Sequence, residues 1–175
     1  GSLWEAQVEH FSDRFPVLAV DPPGHGASEA LIRGFTFTEC ATVVCEVLDH
    51  FGIDRAHLLG NSWGGMIGGT FAALHPERVG VSVLMNATAS PAGRYQKLEY
   101  GALLRAASLM GGLRKPLMPS VLKAFLGPTT LASRPDVVRH VRETAGRADI
   151  ASVAWAVRSV VPHRPDQREL FGRIR

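Results

Sequence analysis

The 175-residue sequence predicts an α/β fold: a parallel sheet with helices between its strands, followed by an all-helical unit. Three observations carry this. Apolar, β-branched runs at 15–21, 56–60 and 79–87 alternate with helical patterns, as parallel strands joined by helical crossovers do. The second run ends in Gly60-Asn61-Ser62-Trp63-Gly64, a Gly-x-Ser-x-Gly turn leading into a helix. Beyond Ser90-Pro91 the texture changes to helical patterns broken by glycine and proline, with no strand pattern.

Each element has its own local reason. Trp4, Val8 and Phe11 recur at helical spacing, which predicts a short helix over 3–12. Phe15–Asp21 is a continuous apolar run of the kind found in strands covered on both faces. Pro22-Pro23-Gly24-His25-Gly26-Ala27-Ser28 is a loop by composition. Thr36-Phe37-Thr38-Glu39 is a capping box, threonine at the N-cap and glutamate three residues on. Ala41, Val44, Leu48 and Phe51 then line one helical face, and Gly52 stops the helix. Ala56–Gly60 is the second strand, Trp63–His75 a helix ended by Pro76, and Val79–Ala87 the third strand. Gly111-Gly112, Pro116, Pro119, Gly127-Pro128, Pro135 and Pro162 divide the helical remainder, and Asp166–Arg175 reads as a short helix returning to the sheet. The expected units are a sheet-bearing core over 1–92, a helical unit over 93–165 and a return segment over 166–175.

The Ser62 turn has the form of a nucleophile elbow. A serine hydroxyl attacks only when it stands clear of its own backbone, and a strained strand-to-helix turn achieves that. Gly60 and Gly64 are expected to flank Ser62 because the helix crosses close to the strand, leaving no room for a side chain. Asn61 completes the turn, and the backbone N–H of Trp63, at the helix start, is positioned to stabilise an oxyanion. The competing reading makes Ser62 only the N-cap of the helix. Trp63 either walls a pocket or packs against the helical unit. His25 reads as a hydrogen-bonded loop histidine near the site. Gly24-His25-Gly26 is no phosphate cradle, since no helix N-terminus follows closely enough.

Composition narrows the function classes. Hydrophobic residues make up 46% and charged residues 20%, the balance of a soluble globular protein, and no apolar run is long enough to span a membrane. Cys40 and Cys45 lie five apart on a helical pattern, on different faces, so they read as buried or half-buried thiols in a reducing, cytoplasmic setting. No His, Cys, Asp or Glu spacing suggests a metal, and no cofactor is expected. Residues 1–93 carry four Lys/Arg against ten Asp/Glu, and residues 94–175 carry fifteen against six. The basic half lacks aromatics interleaved with its arginines, which argues against nucleic acid. It is either a solvated helical surface or a source of long-range attraction for anionic substrates.

Four landmarks in order make the chain resemble the α/β-hydrolase fold family. They are Asp21-Pro22-Pro23-Gly24-His25-Gly26-Ala27-Ser28, the Thr36-led helix, Gly60-Asn61-Ser62-Trp63-Gly64-Gly65, and His75-Pro76-Glu77-Arg78-Val79. The resemblance covers about residues 3–90 and makes the helical unit the family's cap. It is similar to the branch of enol-lactonases, meta-cleavage C–C hydrolases and esterases. What it implies is a serine hydrolase with Ser62 as nucleophile, acting without a cofactor on small esters, lactones or diketones. The family's acid and histidine follow the cap, so the resemblance implies an internal fragment, inactive alone. Its sheet should have about three strands and a gap between 15–21 and 56–60, where the family has a central strand. Gly1-Ser2 is then either the tail of the preceding loop or a foreign remnant. Asn86 stands where some relatives keep a catalytic acid, a role an amide cannot fill. His140 and His163, in the cap, are out of the family's order for a base. Serine rather than aspartate at 62 disfavours dehalogenase and epoxide-hydrolase chemistry. Leu103, Leu104, Leu109, Met110, Leu122, Phe125 and Trp155 either line an acyl pocket or form the cap's own core, the second being favoured. The alternative function is a non-catalytic small-molecule binder on the same fold. Oligomeric state is not legible.

Overall fold

The computed structural model describes residues 2–113 and 116–174. Gly1 and Arg175, the outer ends of the first and last expected units, lie outside the described residues, as do Arg114 and Lys115.

A 3-10 turn (Ser2–Trp4) leads into α1 (Glu5–Ser12). The chain then runs without regular structure to α2 (Phe37–His50), β1 (Ala56–Asn61), α3 (Trp63–Leu74) and β2 (Val79–Met85). The capping box forms as the sequence reads. Thr36 Oγ1 accepts from the Glu39 N–H at 3.1 Å, and Glu39 Oε2 accepts from the Thr36 N–H at 2.7 Å. β1 and β2 pair in parallel, with Leu59 opposite Val83 and Asn61 opposite Met85. A parallel pair needs a crossover, which α3 and a 3-10 turn (Pro76–Arg78) supply.

The core lies where α2 and α3 cover one face of this sheet. Ala41, Leu48, Phe71, Ala72 and Val79 form one buried cluster, and Phe37, Cys40, Met66 and Ile67 another nearer the turn. Burial pushes the Cys40 thiol up to about 12, as expected for a small apolar filler. The opposite face carries Leu59, Val81, Val83 and Met85, all exposed.

One expected strand is absent. The run Phe15–Asp21 forms no ladder, and the sheet of the described residues has two strands, not three. Phe15 lies edge-on to His57 of β1, ring centroids 6.1 Å apart, but no backbone pairing follows. Apolar β-branched residues favour extended chain, yet a strand exists only when its N–H and C=O groups meet a neighbour. This run meets no other strand among the described residues, at the place where the resemblance leaves a gap; at its ends the Phe15 N–H turns back to Phe11 O and Asp21 O accepts from Ser28 Oγ. Phe15, Val17, Leu18 and Val20 are accordingly exposed.

The remainder is helical among the described residues: α4 (Arg94–Leu109), α5 (Met118–Phe125), α6 (Pro128–Ser133), α7 (Pro135–Arg147), α8 (Ile150–Val160) and α9 (Arg168–Phe171). Met118, Val121 and Leu122 form a separate small core with Leu131, Val138 and Val141 packed on it. Of the apolar residues read as core or pocket of this unit, Leu104 and Leu122 are buried, but Leu109 and Phe125 are exposed. Helical spacing put them on an apolar stripe that no neighbour among the described residues covers. Two tethers hold the exit from the helical unit. Arg164, nine-tenths buried, donates to Ser90 O at 2.8 Å, and Gln167 donates through Nε2 to Thr70 Oγ1 of α3 at 2.6 Å. Among the described residues no helix is long and apolar enough to cross a membrane.

Candidate active site

Ser62 sits between the last residue of β1 and the first of α3, at the C-terminal end of a parallel strand, the edge of α/β sheets where ligands bind. Its backbone has φ 53° and ψ −115°, a left-handed conformation that costs a non-glycine residue roughly 1–3 kcal/mol. Both its backbone groups are tied down. The Ser62 N–H donates to Met85 O at 2.8 Å, extending the ladder by one rung, and Ser62 O accepts from the Met66 N–H at 3.0 Å. The strain is therefore held by the sheet on one side and the helix on the other. Ser62 occupies the N-cap position, yet its hydroxyl accepts no helix amide. The side chain is exposed and, among the described residues, hydrogen-bonds to nothing. An N-cap serine whose only role was the cap would bond the N2 or N3 amide.

The glycines divide. A Cβ on Gly60 would collide with the carbonyl of Gly64 and stand 2.7 Å from the Gly65 nitrogen, backbone atoms that cannot swing aside. A Cβ on Gly65 would lie 2.8 Å from Ala87 Cβ. A Cβ on Gly64 would meet nothing within 4 Å. The expected crowding at Gly64 is thus corrected: its carbonyl fills the space at Gly60, while its own Cα–H points to open space.

Trp63 opens α3, so its N–H is one of the helix's unpaired first-turn donors. The indole stacks on Phe35, ring centroids 4.8 Å apart and planes 14° from parallel, and tilts against His25 at 4.9 Å. Its Nε1–H is buried with no acceptor among the described residues. His25 is exposed and its Nδ1 lies 3.2 Å from Pro23 O, in its own loop. The loop histidine and the elbow are therefore brought together through the indole. His140 and His163 are exposed on the helical unit.

Two residues take parts at the site that sequence reasoning did not give them. Asn86, directly after β2, has φ 49°, and its Nδ2 donates to Asn61 Oδ1 at 2.9 Å, so the ends of both strands are joined beside Ser62. An asparagine just past a strand is one of the few side chains that tolerate this conformation, which was a usable signal. Phe35 carried none, since its partner lies 28 positions on. Among the described residues no group of three or more His, Cys, Asp or Glu is placed to hold a metal. Two clefts exclude Ser62. One of about 480 Å3 is lined by Arg33, Phe35, Glu39, Ser159 and His163 among others. There the Thr36 N–H, and after it Arg33, holds the Glu39 carboxyl below its usual range. The other, of about 1000 Å3, lies among α5, α7 and the turn after α4.

Comparison with known proteins bears on the family and the fold. The family model for the alpha/beta hydrolase fold matches residues 1–136. The chain is similar to 3-oxoadipate enol-lactonase 2 of Acinetobacter baylyi, 30% identical over 141 residues that cover 80% of this chain and 51% of that one. It is similar to 2-hydroxy-6-oxononadienedioate/2-hydroxy-6-oxononatrienedioate hydrolase of Burkholderia vietnamiensis, 47% identical over 72 residues, covering 41% of this chain and 25% of that one. The crystal structure of the enol-lactonase from Burkholderia xenovorans superposes with a TM-score of 0.85 at 26% identity, covering 99% of this chain and 64% of that one. The chain spans about half or less of the length of these curated relatives.

Proposed function

The chain belongs to the alpha/beta hydrolase fold family, and from that premise we propose that its protein is a serine hydrolase of small esters, lactones or vinylogous diketones, with Ser62 as nucleophile. One observation carries the reading. Ser62 holds a strained backbone at the strand end, and its hydroxyl neither caps the helix nor bonds to any described residue. Strain of this kind persists where a side chain is kept in a working position.

In the proposed reaction Ser62 Oγ attacks the substrate carbonyl carbon and its proton passes to a histidine base. The carbonyl π pair moves onto oxygen, where the Trp63 N–H donates to it. The oxyanion collapses, the C–O or C–C bond breaks, and the leaving group takes the proton from the histidine. Water then repeats the sequence on the acyl-enzyme and frees Ser62. We assign the histidine and its orienting carboxylate to the share of the relatives' length that these 175 residues do not span, so the 175 residues alone are inactive. The helical unit over 93–165 is proposed as the cap, and 166–175 as the return to the sheet. The enol-lactonase and C–C hydrolase relatives support the substrate classes. Two free cysteines support a reducing, cytoplasmic setting.

The test is fluorophosphonate labelling and an ester and lactone panel on the protein with and without Ser62→Ala. Labelling at Ser62, with turnover reduced about 10⁴-fold or more by the substitution, is the expected result. A protein that binds these ligands but neither labels nor turns them over is the non-catalytic binder instead.

A further inference from the structure

Two buried hydroxyls on α8 reach the loop that carries His25 and Phe35. Ser152 and Ser159 are 1% and 6% exposed. They lie seven residues apart, about two helical turns, and so share one face roughly 10 Å long. Ser152 Oγ accepts the Leu31 N–H at 2.9 Å, and Ser159 Oγ accepts the Phe35 N–H at 3.0 Å. Neither amide has a strand or helix partner. Left unpaired under α8, each part-buried donor would lose its water without gaining an acceptor, so each serine oxygen answers a specific need of the loop. The same helix face presses on the turn before His25, where a Cβ on Gly24 would stand 2.6 Å from Ser152 Oγ.

From this loop the geometry runs directly to the elbow. Phe35 stacks flat on Trp63, and His25 closes the indole from another side. The indole has no hydrogen bond of its own among the described residues to fix it, because its Nε1–H finds no acceptor. Its place is therefore set by packing, on the buried cluster of Phe37, Cys40, Met66 and Ile67 and against the two rings, and the place of the rings is set by the loop. The loop backbone at residues 31 and 35 is held by α8. Trp63 is also the residue whose N–H opens α3 next to Ser62.

We propose that Ser152 and Ser159 are positioning residues, which hold residues 24–35 so that the Trp63 indole and its backbone N–H are fixed beside Ser62. The catalytic half of this statement rests on the hydrolase reading. The positional half does not. Helix α8 thus acts on the oxyanion side of the site, through one loop and one aromatic ring.

The experiment has two arms, on the active full-length protein. In the first, Trp4→Phe and Trp155→Phe leave Trp63 as the remaining tryptophan of residues 1–175, and its emission is read with amide exchange at Leu31 and Phe35. Ser159→Ala and Ser152→Ala are expected to speed exchange at Phe35 and Leu31 respectively, and each to shift Trp63 emission to longer wavelength with easier acrylamide quenching. Ser159→Thr keeps an acceptor oxygen and is expected to restore both. Faster exchange with unchanged Trp63 emission overturns the proposal, for the serines would then serve the loop alone. In the second arm, turnover of an ester should lose about tenfold in kcat with KM changed less than about twofold, as a displaced oxyanion donor acts on the transition state. A rise in KM with kcat unchanged overturns the catalytic half. If Ser62→Ala itself leaves turnover intact, the hydrolase reading and the catalytic half fall together, while the emission arm still supports or overturns the positional half.

Discussion

Residues 15–28 and 56–66 are alike as sequence and unlike as structure. Each is an apolar run followed by a glycine-rich turn. The second becomes β1, a strained turn and α3, while the first joins no sheet among the described residues and leaves Phe15, Val17, Leu18 and Val20 exposed. Composition does not separate them; neighbours do. β1 has β2 on one edge and α2 and α3 over one face, so its pattern is rewarded by ladder bonds and burial. The earlier run has neither. Strand character is thus a local tendency that only long-range pairing realises, and the elbow can hold strain because β2 and α3 grip it from both sides.

The sharpest break in the comparison is inside the elbow. Gly60→Ala should lower stability by about 3 kcal/mol or prevent folding, since the new Cβ meets the backbone of α3. Gly64→Ala should stay within about 1 kcal/mol and can be stabilising, because it adds a methyl to open space in a helix. Urea unfolding with a common slope measures both. Equal costs would mean that close crossing is not what selects glycine here.

The two runs can next be set directly against each other. Leu58 of β1 packs on the buried cluster of Ala41, Leu48 and Phe71. Leu18 of the earlier run is exposed. Leu58→Ala is expected to cost about 2–3 kcal/mol and Leu18→Ala less than about 1 kcal/mol. Amide exchange should agree, with the β1 and β2 amides opening only near global unfolding and those of 17–20 exchanging almost freely. Slow exchange at 17–20 would show a partner for that run in solution.

The same contrast explains what could be read from the chain. The capping box, the stops of the helices and the Gly-x-Ser-x-Gly turn were legible because their partners lie within a few residues. Thr36 and Glu39 bond as their spacing requires, and Ser62 falls at the strand end its flanks predict. Gly64 misled because crowding at a turn depends on where one carbonyl points, which the motif does not record. The rings on Trp63 come from 28 and 38 positions upstream, and the hydroxyls that hold their loop come from more than 120 positions downstream of their amides. No local pattern marks such partners; only the closed chain brings them together.

The smallest expected effect comes from charge pairs that are local in the extreme. Arg134 holds the Asp136 carboxyl at about 2, and Arg168 holds Asp166 at about 2, both from an ordinary value of 3.8. A carboxylate depressed in the folded state adds stability above its unfolded value, and that stability is lost as pH falls from 3.8 through about 2. Both pairs are exposed and only two residues apart, so the unfolded chain can form them in part and salt screens them. Arg78 differs. It bonds Asp49, 29 positions away, and the carbonyls of Ile53 and Asp54, linking the ends of α2 and β1 to the start of β2. Melting curves between about pH 5 and pH 2 should therefore rank the variants. Arg134→Gln should lose little, and that loss should vanish in about 0.5 M salt and at the acid end. Arg78→Gln should lose more and keep part of the loss in salt, since two of its three acceptor residues offer uncharged carbonyls. If Arg134→Gln proved as costly as Arg78→Gln, pairing between chain neighbours would matter as much as pairing across the fold, and the contrast between the two runs would need another cause.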